Sequence, residues 1–205
     1  QDFYNVVWNN PNQHGTRSLF WNGNTIGGNV TIQSTGTGKW SMCSFAAVNR
    51  EAVVNINGDI IQSGGEFTAA GTIHDNTTIT IHHAGNINVT GGNFSITRYA
   101  QGDNGTTTWN LTGGDISLAD ATTQNTNSSG AKFVFAGDGS AQTLTLDNVT
   151  YGEGGFPVEV DSDAVLDMGT SELEGNGSFN LKAGGTIQTA HENGIDGSIA
   201  NTGTQ

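Results

Sequence analysis

Three groups of residues in this 205-residue chain have types and spacings suited to chemistry. Glu159, Asp161 and Asp163 alternate with Val158 and Val160, and Asp167 follows, making the densest run of acids. On a strand, alternate residues share a face, so three carboxylates would line one outer surface. They would offer hard oxygen ligands of the kind Ca²⁺ takes, although no EF-hand loop accompanies them. Trp40, Tyr99 and Trp109 form the second group, as rings that could stack on sugar faces in a carbohydrate-binding module. His82 and His83, with His74 nearby, are the third. Adjacent residues on a strand face opposite ways, so the pair cannot grip one metal from regular geometry.

Catalysis has less support. A glycoside hydrolase needs two carboxylates across the scissile bond, and a lyase needs a base with a cation to neutralise the uronate. No basic residue flanks the acidic run. Lys132 and Lys182, the nearest lysines along the chain, would have to reach it from other parts of the fold. Gly-x-Ser-x-Gly is absent, and no glycine run leads into a Lys-Ser/Thr helix start, so a serine nucleophile elbow and a phosphate loop both lack their motif. Thr77-Thr78-Ile79-Thr80 and Thr106-Thr107-Thr108 do not by themselves mark an ice-binding face. No cofactor is required, and Ca²⁺ at the acidic run is the one metal the residues suggest.

The elements that must position these groups are strands. Hydrophobic residues make up 34% and charged residues 12%, so the polarity comes from Gly, Asn, Thr and Ser, which favour turns and exposed strand faces over helices. Period-2 alternation recurs in TTITI, NINV, FSI, WNL, FVF, TLTL and VEV, which disordered chains do not sustain. A strand, a Gly-Gly step and another strand are rewritten at Gly64-Gly65, Gly91-Gly92, Gly113-Gly114 and Gly184-Gly185, with a looser copy at Gly27-Gly28. Such self-similarity marks units that bury their apolar faces only by stacking. The expected fold is all-β, a single-stranded parallel β-helix (β-solenoid) over 25–205, with an aromatic N-terminal cap over 1–24 built on Phe3, Tyr4, Trp8, Phe20 and Trp21. Rungs of about 20 to 27 residues would give roughly eight or nine turns and a rod about 40 Å long. A β-sandwich is the alternative. In TTITIHHAGNINV, Ile79, Ile81, Ile87 and Val89 should point inward.

A net charge of −13, with six Lys and Arg in all, argues against nucleic acid as a partner. Cys43 is the only cysteine, so no internal disulfide forms, and its expected place is the core. No run approaches the length of a membrane-spanning helix, which predicts no membrane insertion.

The segments VNINGDIIQSGGEFT at 54–68, NINVTGGNFSI at 86–96, WNLTGGDISL at 109–118 and WNGNTIGGNVTIQSTGTGKW at 21–40 resemble repeats of large secreted surface proteins of Bacteroidota and related bacteria, many exported by the type IX route. The resemblance implies a secreted or cell-surface β-solenoid, often part of a longer chain, with rungs that continue beyond the ending SIANTGTQ. The expected function is an extracellular structural or adhesive module of a surface protein or filament, non-enzymatic, with homo-assembly through the solenoid ends. The alternative is a carbohydrate-binding module, or a polysaccharide lyase or hydrolase on a β-helix, with polysaccharide as partner.

Overall fold

The computed structural model describes residues 2–44, 49–71, 76–98, 105–125 and 130–200. Its strands follow one another in triplets, each triplet one rung. The first rung comprises β1 (Val6–Asn9), β2 (Thr16–Ser18) and β3 (Asn24–Ile26). The second is β4 (Val30–Ser34), β5 (Lys39–Cys43) and β6 (Glu51–Ile56); the third is β7 (Ile60–Gln62), β8 (Glu66–Ala70) and β9 (Thr78–His83). Then come β10 (Ile87–Val89), β11 (Gly92–Thr97) and β12 (Thr106–Leu111), followed by β13 (Ile116–Ala119), β14 (Ala121–Thr123) and β15 (Ala131–Phe135). The sixth rung is β16 (Ala141–Asp147), β17 (Thr150–Tyr151) and β18 (Val158–Val160). Below it lie β19 (Val165–Asp167), β20 (Phe179–Leu181), β21 (Thr186–Gln188) and the four-residue helix α1 (Ile195–Ser198).

Down to β19, every third strand joins the same sheet. The first sheet runs β1-β4-β7-β10-β13-β16-β19-β21, the second β2-β5-β8-β11-β14-β17 and the third β3-β6-β9-β12-β15-β18-β20. All pairings between these strands are parallel. The chain is a three-sided parallel β-solenoid, and parallel pairing in all three sheets leaves no place for the antiparallel layers of a sandwich. Partners in the first sheet stand 24, 30, 27, 29 and 28 residues apart down to Leu144. The steps then shorten to 24 and 21 as the middle strand of the seventh rung gives way to a loop. Eight strands at about 4.8 Å span roughly 34 Å, somewhat short of the expected rod.

The Gly-Gly steps mark two different corners, and counting them as one motif mixed two phases. Gly27-Gly28, Gly113-Gly114 and Gly184-Gly185 precede strands of the first sheet, whereas Gly64-Gly65 and Gly91-Gly92 precede strands of the second. The repeat that keeps one phase is Gly-Asn/Asp followed by an inward β-branched residue, at Gly28-Asn29-Val30, Gly58-Asp59-Ile60, Gly85-Asn86-Ile87 and Gly114-Asp115-Ile116. Its polar member builds a ladder down the corner. The backbone N–H of each rung donates to the side-chain oxygen one rung above: Asn29 to Asn5 (2.7 Å), Asp59 to Asn29 (2.9 Å), Asn86 to Asp59 (2.8 Å), Asp115 to Asn86 (2.9 Å) and Thr143 to Asp115 (2.7 Å). These corner donors lie outside the sheet ladders, and the side chains satisfy them.

Inside, the pleat sends Ile79, Ile81, Ile87 and Val89 into the apolar column as the alternation requires. A run of rings threads the column. Trp8 stacks on Trp40 at 4.9 Å, Trp40 meets Phe67 at 5.1 Å, Phe67 meets Phe94 at 5.8 Å and Phe94 meets Phe133 at 5.9 Å; Phe133 closes on Phe156 at 4.6 Å. The aromatic opening does cluster at the top, where Phe3 and Trp21 pack at 5.7 Å. The same segment also supplies β1 and β2, which pair with the second rung, β1 with a one-residue slip between Trp8 and Asn9, so residues 1–24 do more than cover the end.

Candidate functional site

Trp40 and Trp109 are fully buried, which corrects their placement as sugar-binding platforms. Trp109 alternates with Thr108 and Asn110 on β12, and the register that pairs it with Ile81 and Phe133 puts it on the inner face. It touches Phe67, Phe94, Phe133 and His83, and a ring so enclosed offers no face to a ligand. Tyr99 and His74 lie outside the described residues.

The acidic run does not form one ligand face. β18 ends at Val160, and the chain turns at once: Asp161 accepts the Ser162 N–H at 2.9 Å, and Asp163 sits at φ 64°. Glu159 alone remains on the strand, and its oxygens are occupied. Lys132 from the rung above donates to both at 2.9 Å, Asn180 from the rung below donates at 3.0 Å, and Lys182 stands 3.5 Å away. Burial would raise the Glu159 carboxyl, but the hydrogen bond and charge of Lys132, with Lys182 and Asn180, hold it below the ordinary carboxylate range. Among the described residues no three His, Cys, Asp or Glu side chains converge to hold a metal, so Glu159, Asp161 and Asp163 are not assembled as a Ca²⁺ site. The two lysines do reach the acidic strand from neighbouring rungs, where they neutralise Glu159. A second clamp of the same design holds Glu66 between Lys39 (3.2 Å) and Arg98 (2.7 Å). Neither clamp was legible, because its members stand 21 to 32 residues apart in sequence.

The histidine pair splits as expected, His82 outward and His83 into the core. The Gly58 carbonyl can only accept, so the His83 Nε2–H donates to it (2.8 Å), leaving Nδ1 without a partner among the described residues. Burial, opposed by the Gly58 carbonyl and the Asp59 charge, lowers the His83 pKa to about 4. The unfolded chain binds a proton near 6.5 and the folded chain does not, so this stability is complete above pH 6.5 and is lost as pH falls toward 4. The expected loss is on the order of 3 kcal/mol. Urea titrations at pH 7 and pH 4 on the parent and on His83→Leu check it: the variant should lose much less stability between the two.

Cys43 donates its thiol to the Trp21 carbonyl at 3.1 Å, and burial pushes its pKa up to about 12, so it is an inert core group.

Two surface features remain. A groove of about 400 Å³ is walled by Tyr151, Leu146, Val149, Thr170, Glu172 and Glu174, beside the loop that replaces the missing strand. Burial, then the charges of Glu174 and Glu172, push the Tyr151 phenol up to about 12, and its O–H donates to the Glu172 carbonyl at 3.2 Å. The other feature is the pair of end surfaces. Of the described large apolar residues that are exposed, Tyr4, Val7 and Phe20 lie on the first rung and Leu181 and Ile195 on the last, with Ile61 alone between. No helix among the described residues is long and apolar enough to cross a membrane.

Comparison with family models, curated proteins and solved structures finds no match for this chain.

Proposed function

We propose that this chain is a non-enzymatic structural or adhesive rod, a module of a secreted or cell-surface protein that can join further rungs or copies at its ends. The observation that carries the reading is the stacking of three parallel sheets around one column of rings, with a side-chain ladder down a corner. Bending such a body requires many ladder bonds and ring contacts to yield together, which makes it stiff. The resemblance of its repeats to those of exported surface proteins supports the location. Force spectroscopy along the axis should show high resistance to pulling, and unfolding at low force would overturn the rod reading. Cleavage of a uronate polysaccharide that disappears in Asp161→Asn or Asp163→Asn would overturn the non-enzymatic reading.

Carbohydrate binding is a second reading, favoured by the Tyr151 groove, where a ring, two carboxylates, Thr170 and Asn148 offer an apolar wall and hydroxyl partners. A glycan array with the parent and Tyr151→Ala tests it: binding by the parent that is lost in the variant supports the groove, and no binding by the parent removes it.

A further inference from the structure

We infer that copies of this chain stack head to tail, the first rung of one copy seating on the last rung of the next, with Arg17 facing Asp196 and Tyr4 entering a groove beside β20. The inference rests on the rod reading above and adds the partner, its orientation and the contacts.

The register of the sheets carries it. Among the described residues, β1 and β2 at the top have a neighbour on one side only, and so do β20 and β21 at the bottom. All these edges run parallel within their sheets, so a second copy placed below continues every sheet in the direction it already has, whereas an inverted copy would oppose strands antiparallel. In the second sheet position the order continues from Leu173 to Ile199, which form a parallel bridge, and the next strand down would be β2 of the second copy. β2 carries Arg17 in register with the inward Trp40, yet Arg17 is exposed and belongs to the end surface. No ion pair is seen for it among the described residues. Asp196, on α1 three residues before Ile199, is exposed and lines the bottom groove.

The apolar match falls at a second place. The bottom groove, about 420 Å³, is bounded by Phe179 and Leu181 of the third sheet, Ile187 of the first sheet, and Ile195 and Ile199. It therefore sits beside the corner between the third and first sheets. At the top of the rod that corner is covered by Tyr4, whose ring lies against Gly27 and is 76% exposed. Leu181 at 44% and Ile195 at 49% are the matching exposed apolar groups below.

Charge selects the orientation. In a solenoid, position in the sequence is height along the rod, so the charge distribution along the chain becomes an axial one. Residues 106–205 hold 13 of the 19 acids and two of the six Lys and Arg, whereas residues 1–105 hold six acids and four cations. Two C-terminal ends would repel, and the contact that relieves this repulsion while joining parallel edges is head to tail. The surfaces differ, so the contact is heterologous and does not close: it produces filaments.

Sedimentation velocity and negative-stain imaging of the 205-residue protein over a concentration series test this, with force spectroscopy on the single protein as an independent check on the structural reading. The parent is expected to form end-on dimers and longer rods with a micromolar Kd. Arg17→Glu alone and Asp196→Arg alone should each weaken association about ten-fold, and the equimolar mixture of the two variants should recover long rods of alternating copies, because both kinds of junction then oppose unlike charges. Leu181→Lys, at the rim of the groove, should weaken association without altering thermal unfolding. A parent that stays monomeric at every concentration, or association that neither charge reversal changes, overturns the stacking. In both cases high resistance of the single protein to pulling leaves the structural reading standing.

Discussion

Trp109→Ala should lower the unfolding free energy by about 3–5 kcal/mol, enough to remove much or all of the stability of a domain of this size. The indole is completely enclosed between Phe67, Phe94 and Phe133, at centroid distances of 6.4, 5.6 and 5.2 Å. Its removal opens a cavity in the middle of the column, where strands above and below hold the walls apart and prevent collapse. The indole N–H has no hydrogen-bond partner among the described residues, so Trp109→Phe loses ring area but no bond and should cost far less, about 1–2 kcal/mol. Urea denaturation of both variants checks the pair, and equal losses would show that the site does not act through cavity formation. An exposed sugar platform would predict the reverse pattern, with ligand binding lost and folding intact.

Gly114→Ala should destabilise by about 3 kcal/mol or more, whereas Gly113→Ala, one residue away, should change stability by less than about 1 kcal/mol. Gly114 has φ 73°, and a Cβ there would overlap the Gly85 carbonyl of the rung above. That neighbour is backbone, itself held in the corner ladder through Asn86, and has no rotamer into which to retreat. Gly113 has no left-handed φ, and its Cβ would find only the Ala84 oxygen, at 3.2 Å. Thermal unfolding of the two single variants reads the difference. Comparable losses would mean that the corner yields between rungs and that the close stacking of Gly28, Gly58, Gly85 and Gly114 is not what limits side-chain size there.

The solenoid was legible because it depends on two local properties. Alternation decides which face of a strand is apolar, and paired glycines mark where a rung can bend while another passes close above it. Both survive in a single stretch such as NINVTGGNFSI, and so do the inward Ile79, Ile81, Ile87 and Val89. The same alternation bears on Trp109, which shares a strand face with Leu111 and is buried with it. The loss of the middle strand below β17 was hidden, since Gly169-Thr-Ser-Glu-Leu-Glu-Gly resembles any other corner until the neighbouring rung shows a strand position left unfilled.

The candidate sites were less legible because charge chemistry here acts across rungs. Glu159, Asp161 and Asp163 look like one cluster in sequence, yet a turn after Val160 separates them, and the partners of Glu159 come from β15 and from the β20 segment. Likewise, nothing near His83 in sequence announces that the Gly58 carbonyl lies above it.

From its order of residues alone, this chain determines that it is built of alternating strands that must stack, with glycine corners, one core cysteine and acidity concentrated toward its C-terminal half. These follow from pleat geometry, backbone freedom and simple charge counting, which need no neighbour to be known. Tertiary structure decided the phase of the repeat, the side of the wall on which each tryptophan lies, and the cations that neutralise Glu66 and Glu159. Each of those depends on the register between strands some 21 to 30 residues apart, and register is set by the packing of the whole column rather than by any segment within it.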